Sequence, residues 1–233
     1  MEVTIIHGQG HKGSTYHASA IIKERICGSD TVIHEYFMPK DTPAFCTGCS
    51  QCILKGEGKC AQHDKVSRIE ESILRSQVLI IDSPTYCFEM TGQLKTLFDH
   101  FAYMWMIHRP RKEMFTKIGI VVSTSAGAGH KSVTKSIARQ LSWWGVPKIH
   151  RVHFSCNASV WENVPEKIRE KIIKRAEVVS QKVKGQLGKV KTGIKTRLLF
   201  GIMRRVQKSN NWNVADKGHW QQNGWLGKAR PWR

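Results

Sequence analysis

The chain has 233 residues, with 37 Lys and Arg against 18 Asp and Glu and a formal net charge of +19. That length suits one domain with a full core plus an extension, and 40% hydrophobic with 24% charged residues excludes a disordered or fibrous chain. No apolar run approaches the roughly 18 residues of a membrane span, and the opening MEVTIIHGQG lacks a charged segment ahead of a long apolar one, so no signal peptide is expected.

In chain order, residues 2–8 (EVTIIHG) read as a buried strand and residues 14–27 as a helix with Ala18, Ile21, Ile22 and Ile26 at helical spacing. Residues 30–37 are a β-branched, aromatic strand, followed by a cysteine-rich loop. Residues 65–76 form a helix with Val66, Ile69, Ile73 and Leu74 inward, and residues 77–86 a buried strand ending in a Ser-Pro turn. A helix is predicted over 91–105, a strand over 117–129, a helix over 130–145 closed by Gly145, and a fifth strand over 148–156. Residues 164–187 complete the series as a long helix with Pro165 near its start. Strands alternating with helices imply an α/β fold with a doubly wound, five-stranded parallel sheet, whose ligands bind beyond the carboxyl ends of the strands.

Three loops at those ends are distinctive. HGQGHKGST (residues 7–15) sets glycines and hydroxyls between a strand and a helix N-terminus, where open amides and the helix dipole favour an anion. It is neither GxGxxG nor a P-loop, and a plain Gly-rich turn reads equally well. SPTYCFEMTGQLKTLFDH (residues 83–100) presents Thr85, Tyr86, Cys87 and Phe88 after Pro84, as a planar aromatic ligand needs; the bland reading is that Tyr86 and Phe88 cap the core. STSAGAG (residues 123–129) is small enough for a ring edge to lie against main chain.

The order of these motifs resembles the NAD(P)H-dependent FMN reductase group of flavodoxin-like proteins, including its iron-sulfur flavoprotein branch. The first loop keeps Gly8, Lys12, Gly13, Ser14 and Thr15 of the group's GSPRKGxST, with Gln9, Gly10 and His11 replacing Ser, Pro and Arg. The second is similar to SPVYxxxMxxQLKxxxDR through Ser83, Pro84, Tyr86, Met90, Gln93, Leu94, Lys95 and Asp99. The resemblance covers about residues 1–180. It implies FMN, with the phosphate on Gln9, His11, Lys12, Gly13, Ser14 and Thr15. The ring would lie between Pro84, Thr85, Tyr86, Cys87, Phe88 and Met90 on one side and Ser123, Thr124, Ser125 and Gly127 on the other. It also implies that NAD(P)H reduces the flavin and that a small acceptor (flavin, quinone, nitro or azo compound) then takes the electrons. Hard chemistry of this kind belongs to the cofactor, so no catalytic residue is assigned and no triad is apparent. Cys87 reads as a soft packing residue.

Four of the seven cysteines, Cys46, Cys49, Cys52 and Cys60, are spaced Cys-x2-Cys-x2-Cys-x7-Cys. In a reducing, cytoplasmic setting such clustering marks metal or redox chemistry rather than disulfides. A [4Fe-4S] cluster needs four converging thiolates, and Cys-x2-Cys-x2-Cys supplies three of them as known cluster loops do. Zinc is the minor option, since His63 is the only nearby imidazole, and the preference falls narrowly on bare thiols beside the site. With a cluster, the chain would be an electron carrier serving a protein partner. Cys27 and Cys156 stand apart and read as buried thiols.

Charge divides the chain. Residues 1–180 carry a basic surplus of seven, whereas residues 181–233 hold 13 Lys and Arg against Asp216 alone. The expected organisation is a flavin-binding domain over 1–187 and a basic, Trp-rich extension over 188–233. Residues 194–209 form an amphipathic helix with Ile194, Leu198, Ile202 and Val206 on one side. Such a helix packs on a neighbouring subunit, the preferred reading and consistent with a homodimer or homotetramer, or lies on an anionic membrane surface. Four tryptophans after residue 210 argue that the tail docks. Nucleic-acid stacking is set aside because no nucleic-acid-binding fold accompanies them. A third reading is a non-enzymatic, flavin-fold regulatory protein anchored by this tail.

Overall fold

Five short apolar runs become the strands β1 (Glu2–His7), β2 (Val32–Phe37), β3 (Val78–Asp82), β4 (Ile118–Ser125) and β5 (Lys148–Ser155). The structure, a computed structural model, describes residues 1–158 and 160–232. All four pairings are parallel and the strand order is β2-β1-β3-β4-β5, so the order reverses between β1 and β3. This is the flavodoxin-like form of the doubly wound sheet.

The helices are α1 (Ser14–Ile26), α2 (Gln51–Leu54), α3 (His63–Arg75), α4 (Gly92–His100), α5 (His130–Trp143), α6 (Glu166–Gln186), α7 (Ile194–Ser209) and α8 (Val214–Gln222). Side chains alternate across a strand, and each central strand feeds two cores. Val3, Ile5, Val78, Ile80, Ile118, Ile120 and Val122 pack with Ala18 and Ile22 of α1 and Ile172, Ala176, Val179 and Val183 of α6. Ile6, Leu79, Ile81 and Val121 face the other way, against Ile69 and Ile73 of α3, Leu94, Leu97 and Phe98 of α4, and Val133, Ile137 and Leu141 of α5.

The structure differs from the sequence reading at three places. The cysteine loop contains a turn of helix, α2, and a 3-10 turn at Glu57–Lys59, with positive φ angles at Gly48 and Ser50 before the first and at Gly56 between the two. Helix α4 ends at His100 and gives way to a 3-10 turn, Ala102–Met104. Cys156 is buried, as expected of an isolated thiol, but Cys27 is only half-buried.

Residues 188–232 build a third, aromatic core. Met106 and Phe115 pack with Phe200, Trp220 and Trp225, with Trp232 closing the edge. The tail therefore docks on the body. The face of α7 that does so carries Phe200 and Gln207, not the Ile194–Leu198–Ile202–Val206 stripe, which stays exposed.

Candidate functional site

A cavity of about 280 Å³ opens at the carboxyl ends of β1, β3 and β4, where the strand order reverses. It is lined by Gln9, His11, Gly13, Ser14, Thr15, Pro84, Thr85, Tyr86, Thr124 and Ser125 of the residues expected from sequence. Tyr16, Asp82, Ala126 and Ala158 join them. Ser123, Met90, Lys12, Cys87, Phe88 and Gly127 lie outside this lining. Ser123 is buried and bonded through its hydroxyl to that of Thr85 at 3.1 Å, Met90 is buried in the core below, and Lys12 projects over the Tyr16 ring.

The first loop is tied down from beneath. Gly8 N donates to the Asp82 carbonyl at 2.8 Å and Thr91 Oγ1 donates to the Gly8 carbonyl at 2.6 Å. A Cβ on Gly8 would fall 2.8 Å from the Asp82 carbonyl oxygen, so only glycine allows this approach. Helix α1 then starts at Gly13, which has no side chain with which to cap the first-turn amides, and that turn contains no acid. Within it the buried hydroxyl of Ser14 has no nitrogen or oxygen partner among the described residues and lies beside the Cys156 thiol alone. An unpartnered buried hydroxyl costs free energy unless something supplies its bond. The neighbouring Thr15 hydroxyl is already paired with that of Thr124 at 2.6 Å.

The second loop is a two-residue hairpin: Tyr86 N donates to the Glu89 carbonyl at 3.0 Å and Glu89 N to the Tyr86 carbonyl at 2.9 Å. Cys87 and Phe88 at its tip both have positive φ, 49° and 65°. Neither is glycine, so the tip is strained, and strain of this kind concentrates at ligand sites. Tyr86 OH accepts from Gln9 Nε2 at 2.8 Å and joins the first two loops. Gly129, at φ +95°, seats this hairpin against the third loop; a Cβ there would meet Thr85 Cγ2 at 2.6 Å. His130 follows, its Nδ1 2.8 Å from Ser125 Oγ, and burial, then nearby Lys131, hold its pKa below the usual imidazole value.

Under the first loop is a buried network that the sequence does not announce. His7 Nδ1 lies 2.6 Å from Asp82 Oδ2 and His7 Nε2 2.9 Å from Glu35 Oε1, which also receives Lys23. Burial opposes charge on the ring, but carboxylates on both nitrogens outweigh it and raise its pKa. The ring stacks on Phe37. Only the parallel register of β1 with β2 and β3 brings these three groups together.

The four cysteines lie on the segment between β2 and α3. All four thiols are free; Cys46 and Cys49 are exposed and Cys52 and Cys60 half-buried. Burial raises the Cys52 pKa, and the other three thiols lie near enough to raise it further. Cys60 Sγ is 3.5 Å from His100 Nδ1, and the far nitrogen of that ring pairs with the Ala44 carbonyl at 2.7 Å. Among the described residues, no three metal-ligating side chains already converge on one point. Behind the thiols, buried Arg109 donates to the carbonyls of Cys52 and Ile53 and to Glu57, and pairs with Asp216 of α8. Asn213 donates to the Ile53 carbonyl at 3.2 Å and to Asp216 at 2.8 Å. The tail thus reaches the cysteine segment. Nothing in the spacing of Arg109, Asn213 and Asp216 signals this.

A parallel sheet in the order 2-1-3-4-5, with an anion-suited loop and an aromatic loop at its switch point, defines a flavodoxin-like α/β protein. The family described as NADPH-dependent FMN reductase matches residues 1–160, and the chain belongs to it. An iron-sulfur flavoprotein of Archaeoglobus fulgidus is 30% identical over 141 residues, covering 60% of this chain and 58% of that protein. One of Clostridioides difficile is 31% identical over 140 residues, 58% and 59% respectively. The chain thus spans about three fifths of the length of the curated relatives it matches. Among solved structures, the FMN-dependent NADH-azoreductase of Bacillus anthracis in complex with FMN superposes with a TM-score of 0.62 at 12% identity, over 78% of this chain and 99% of that one. An apo NADH:FMN oxidoreductase does so at 0.51 and 16%, over 84% and 93%. These likenesses show the fold. Among the described residues no helix is long and apolar enough to cross a membrane.

Proposed function

We propose that the chain binds FMN in this cavity and acts as an NAD(P)H-linked oxidoreductase that passes electrons to a small acceptor. The observation that carries the reading is the uncapped, acid-free first turn of α1 beside the buried Ser14 hydroxyl, which has no nitrogen or oxygen partner among the described residues. A phosphate supplies what both lack, an acceptor for the hydroxyl and for the amides. When bound, FMN supplies hydride acceptance and electron release singly or in pairs. The chain's own residues would bind and orient it. Gln9 and residues 11–15 hold the phosphate end, residues 84–86 at the base of the hairpin and residues 124–126 hold the ring, and the tie from Tyr86 to Gln9 keeps the two ends in register. Exposed Tyr86 and Phe88 at the rim leave apolar surface that a second copy would cover, supporting a homo-oligomer. Residues 1–187 are the flavin-binding unit in this reading and residues 188–233 its docked extension.

The test is titration of apoprotein with FMN, followed by flavin fluorescence. Saturable uptake is expected, and Ser14→Ala should weaken it by roughly ten- to a hundredfold, the range for a hydrogen bond to a charged group. A chain that takes up no FMN would end this reading. Rapid anaerobic bleaching by NAD(P)H distinguishes the enzyme from a carrier reduced only by a protein.

A second reading, an iron-sulfur flavoprotein electron carrier, is favoured by four free thiols on the one segment between β2 and α3 and by the names of the relatives. Cys46, Cys49, Cys52 and Cys60 would hold the cluster, which would exchange single electrons with the flavin. Their chemistry fits, and unpaired thiols suit a reducing, cytoplasmic location. Anaerobic reconstitution should load iron that Cys46→Ala/Cys49→Ala fails to hold; equal iron in that variant refutes the cluster.

A further inference from the structure

Helix α7 is built with two working faces. Phe200 and Gln207 are buried against the body, with Leu199 and Met203 beside them. On the opposite side Ile194, Leu198, Ile202 and Val206, spaced four apart, are 77%, 64%, 53% and 43% exposed. Lys195, Arg205 and Lys208 are exposed on that same half-turn of the helix, as its 100° step per residue places them among the aliphatic side chains. Trp212 and Val214, just past the C-terminal end, are more than two-thirds exposed.

Among the described residues, no ion pair involves Lys195, Arg205 or Lys208. Helix α7 contains five basic residues and no acid, and Asp216, the one acid after residue 180, is fully buried against Arg109 and His108. A continuous aliphatic ridge flanked by cations calls for an occupant that is both apolar and anionic. A second copy pairing through the same ridge would set Lys195, Arg205 and Lys208 against their own equivalents, with no acid on either α7 to separate them. A polyanion such as nucleic acid would use the cations and leave the ridge wet.

We infer that α7 docks this protein on a membrane surface rich in acidic phospholipid. At 16 residues the helix is about 24 Å long, shorter than a bilayer core of roughly 30 Å, and its charges keep it in the interfacial plane. The aliphatic ridge enters the boundary between headgroups and acyl chains, the Lys and Arg side chains meet the headgroups, and Trp212 anchors the end. The cavity is made by other elements and keeps its own access, so this inference does not rest on the flavin reading.

The test is cosedimentation of the full chain with vesicles of phosphatidylglycerol and phosphatidylcholine, against phosphatidylcholine alone. Binding at least about tenfold tighter to the acidic vesicles is expected, falling as salt rises from about 50 to 300 mM. The double variant Leu198→Glu/Ile202→Glu replaces exposed residues and should keep the far-UV circular dichroism and Tm of the parent while losing about tenfold or more in vesicle affinity. Lys195→Gln/Arg205→Gln/Lys208→Gln should lose the preference for acidic lipid. The inference is overturned by equal binding to neutral vesicles, by no binding to either, or by a dimer in solution that Leu198→Glu dissolves. It is also overturned if a nucleic-acid duplex binds through the same cations with Leu198→Glu/Ile202→Glu unaffected.

Discussion

At position 7 an imidazole is clasped on both ring nitrogens by carboxylates, 2 % exposed, directly beneath the loop that would hold an anion. Asp82 belongs at once to this network and to the cavity wall, so the histidine offsets a negative charge that would otherwise face a phosphate. His7→Gln should lower stability by about 2–4 kcal/mol in urea unfolding, because it removes the charge paired with buried Asp82. The pH dependence has a definite sign. A raised imidazole pKa contributes stability in full below the ordinary value of about 6.5, and the contribution is lost as pH rises through the folded value. The gap between parent and His7→Gln should therefore narrow above neutral pH; a gap constant from pH 5 to about 9 would show that the ring is not charged.

Among the elements, the cysteine segment is the one whose support comes from far away in sequence. Arg109 holds the carbonyls of Cys52 and Ile53, Arg111 bridges Glu57 and Glu70, and Asp216 holds Arg109. Asp216→Asn leaves a buried guanidinium short of a partner. A loss of about 3 kcal/mol is expected in denaturant unfolding, with faster alkylation of Cys52 and Cys60 in the native state, read by mass spectrometry. Unchanged labelling would mean the segment keeps its place without α8. Burial opposes the Glu57 charge, but Arg111 and then Arg109 overcome it and hold the carboxyl at about 2. A depressed carboxyl contributes fully above its ordinary value of about 4.3 and loses that contribution as pH falls toward 2. Stability to urea should fall over that window in the parent, and its margin over Glu57→Gln should narrow toward pH 2.

For the whole molecule, the tail is a third core rather than an appendage. Truncation after residue 187 would uncover Met106 and Phe115, both fully buried, and strip Arg109 of Asp216. A loss of roughly 3 kcal/mol or more lowers Tm by about 6–12 °C for a chain of this size, checked by calorimetry. An unchanged Tm would assign the tail to association alone.

The alternation of strands and helices, the phosphate-suited loop and the outward-facing hairpin are carried by local patterns of side-chain period, glycine and proline, and these the sequence determined by itself. Ten of the sixteen residues expected at the cofactor line one cavity because each loop follows directly from a strand end. Strand order, and with it the meeting of His7, Glu35 and Asp82, depended on pairings between distant segments that no local period encodes. The same holds for Arg109 and Asp216, 107 residues apart and bonded only once the tail has packed. Helical spacing identified the stripe on α7 but not which face would be buried. That choice fell to Phe200, whose larger aromatic surface found Phe115 and Trp220 and left the aliphatic ridge in water.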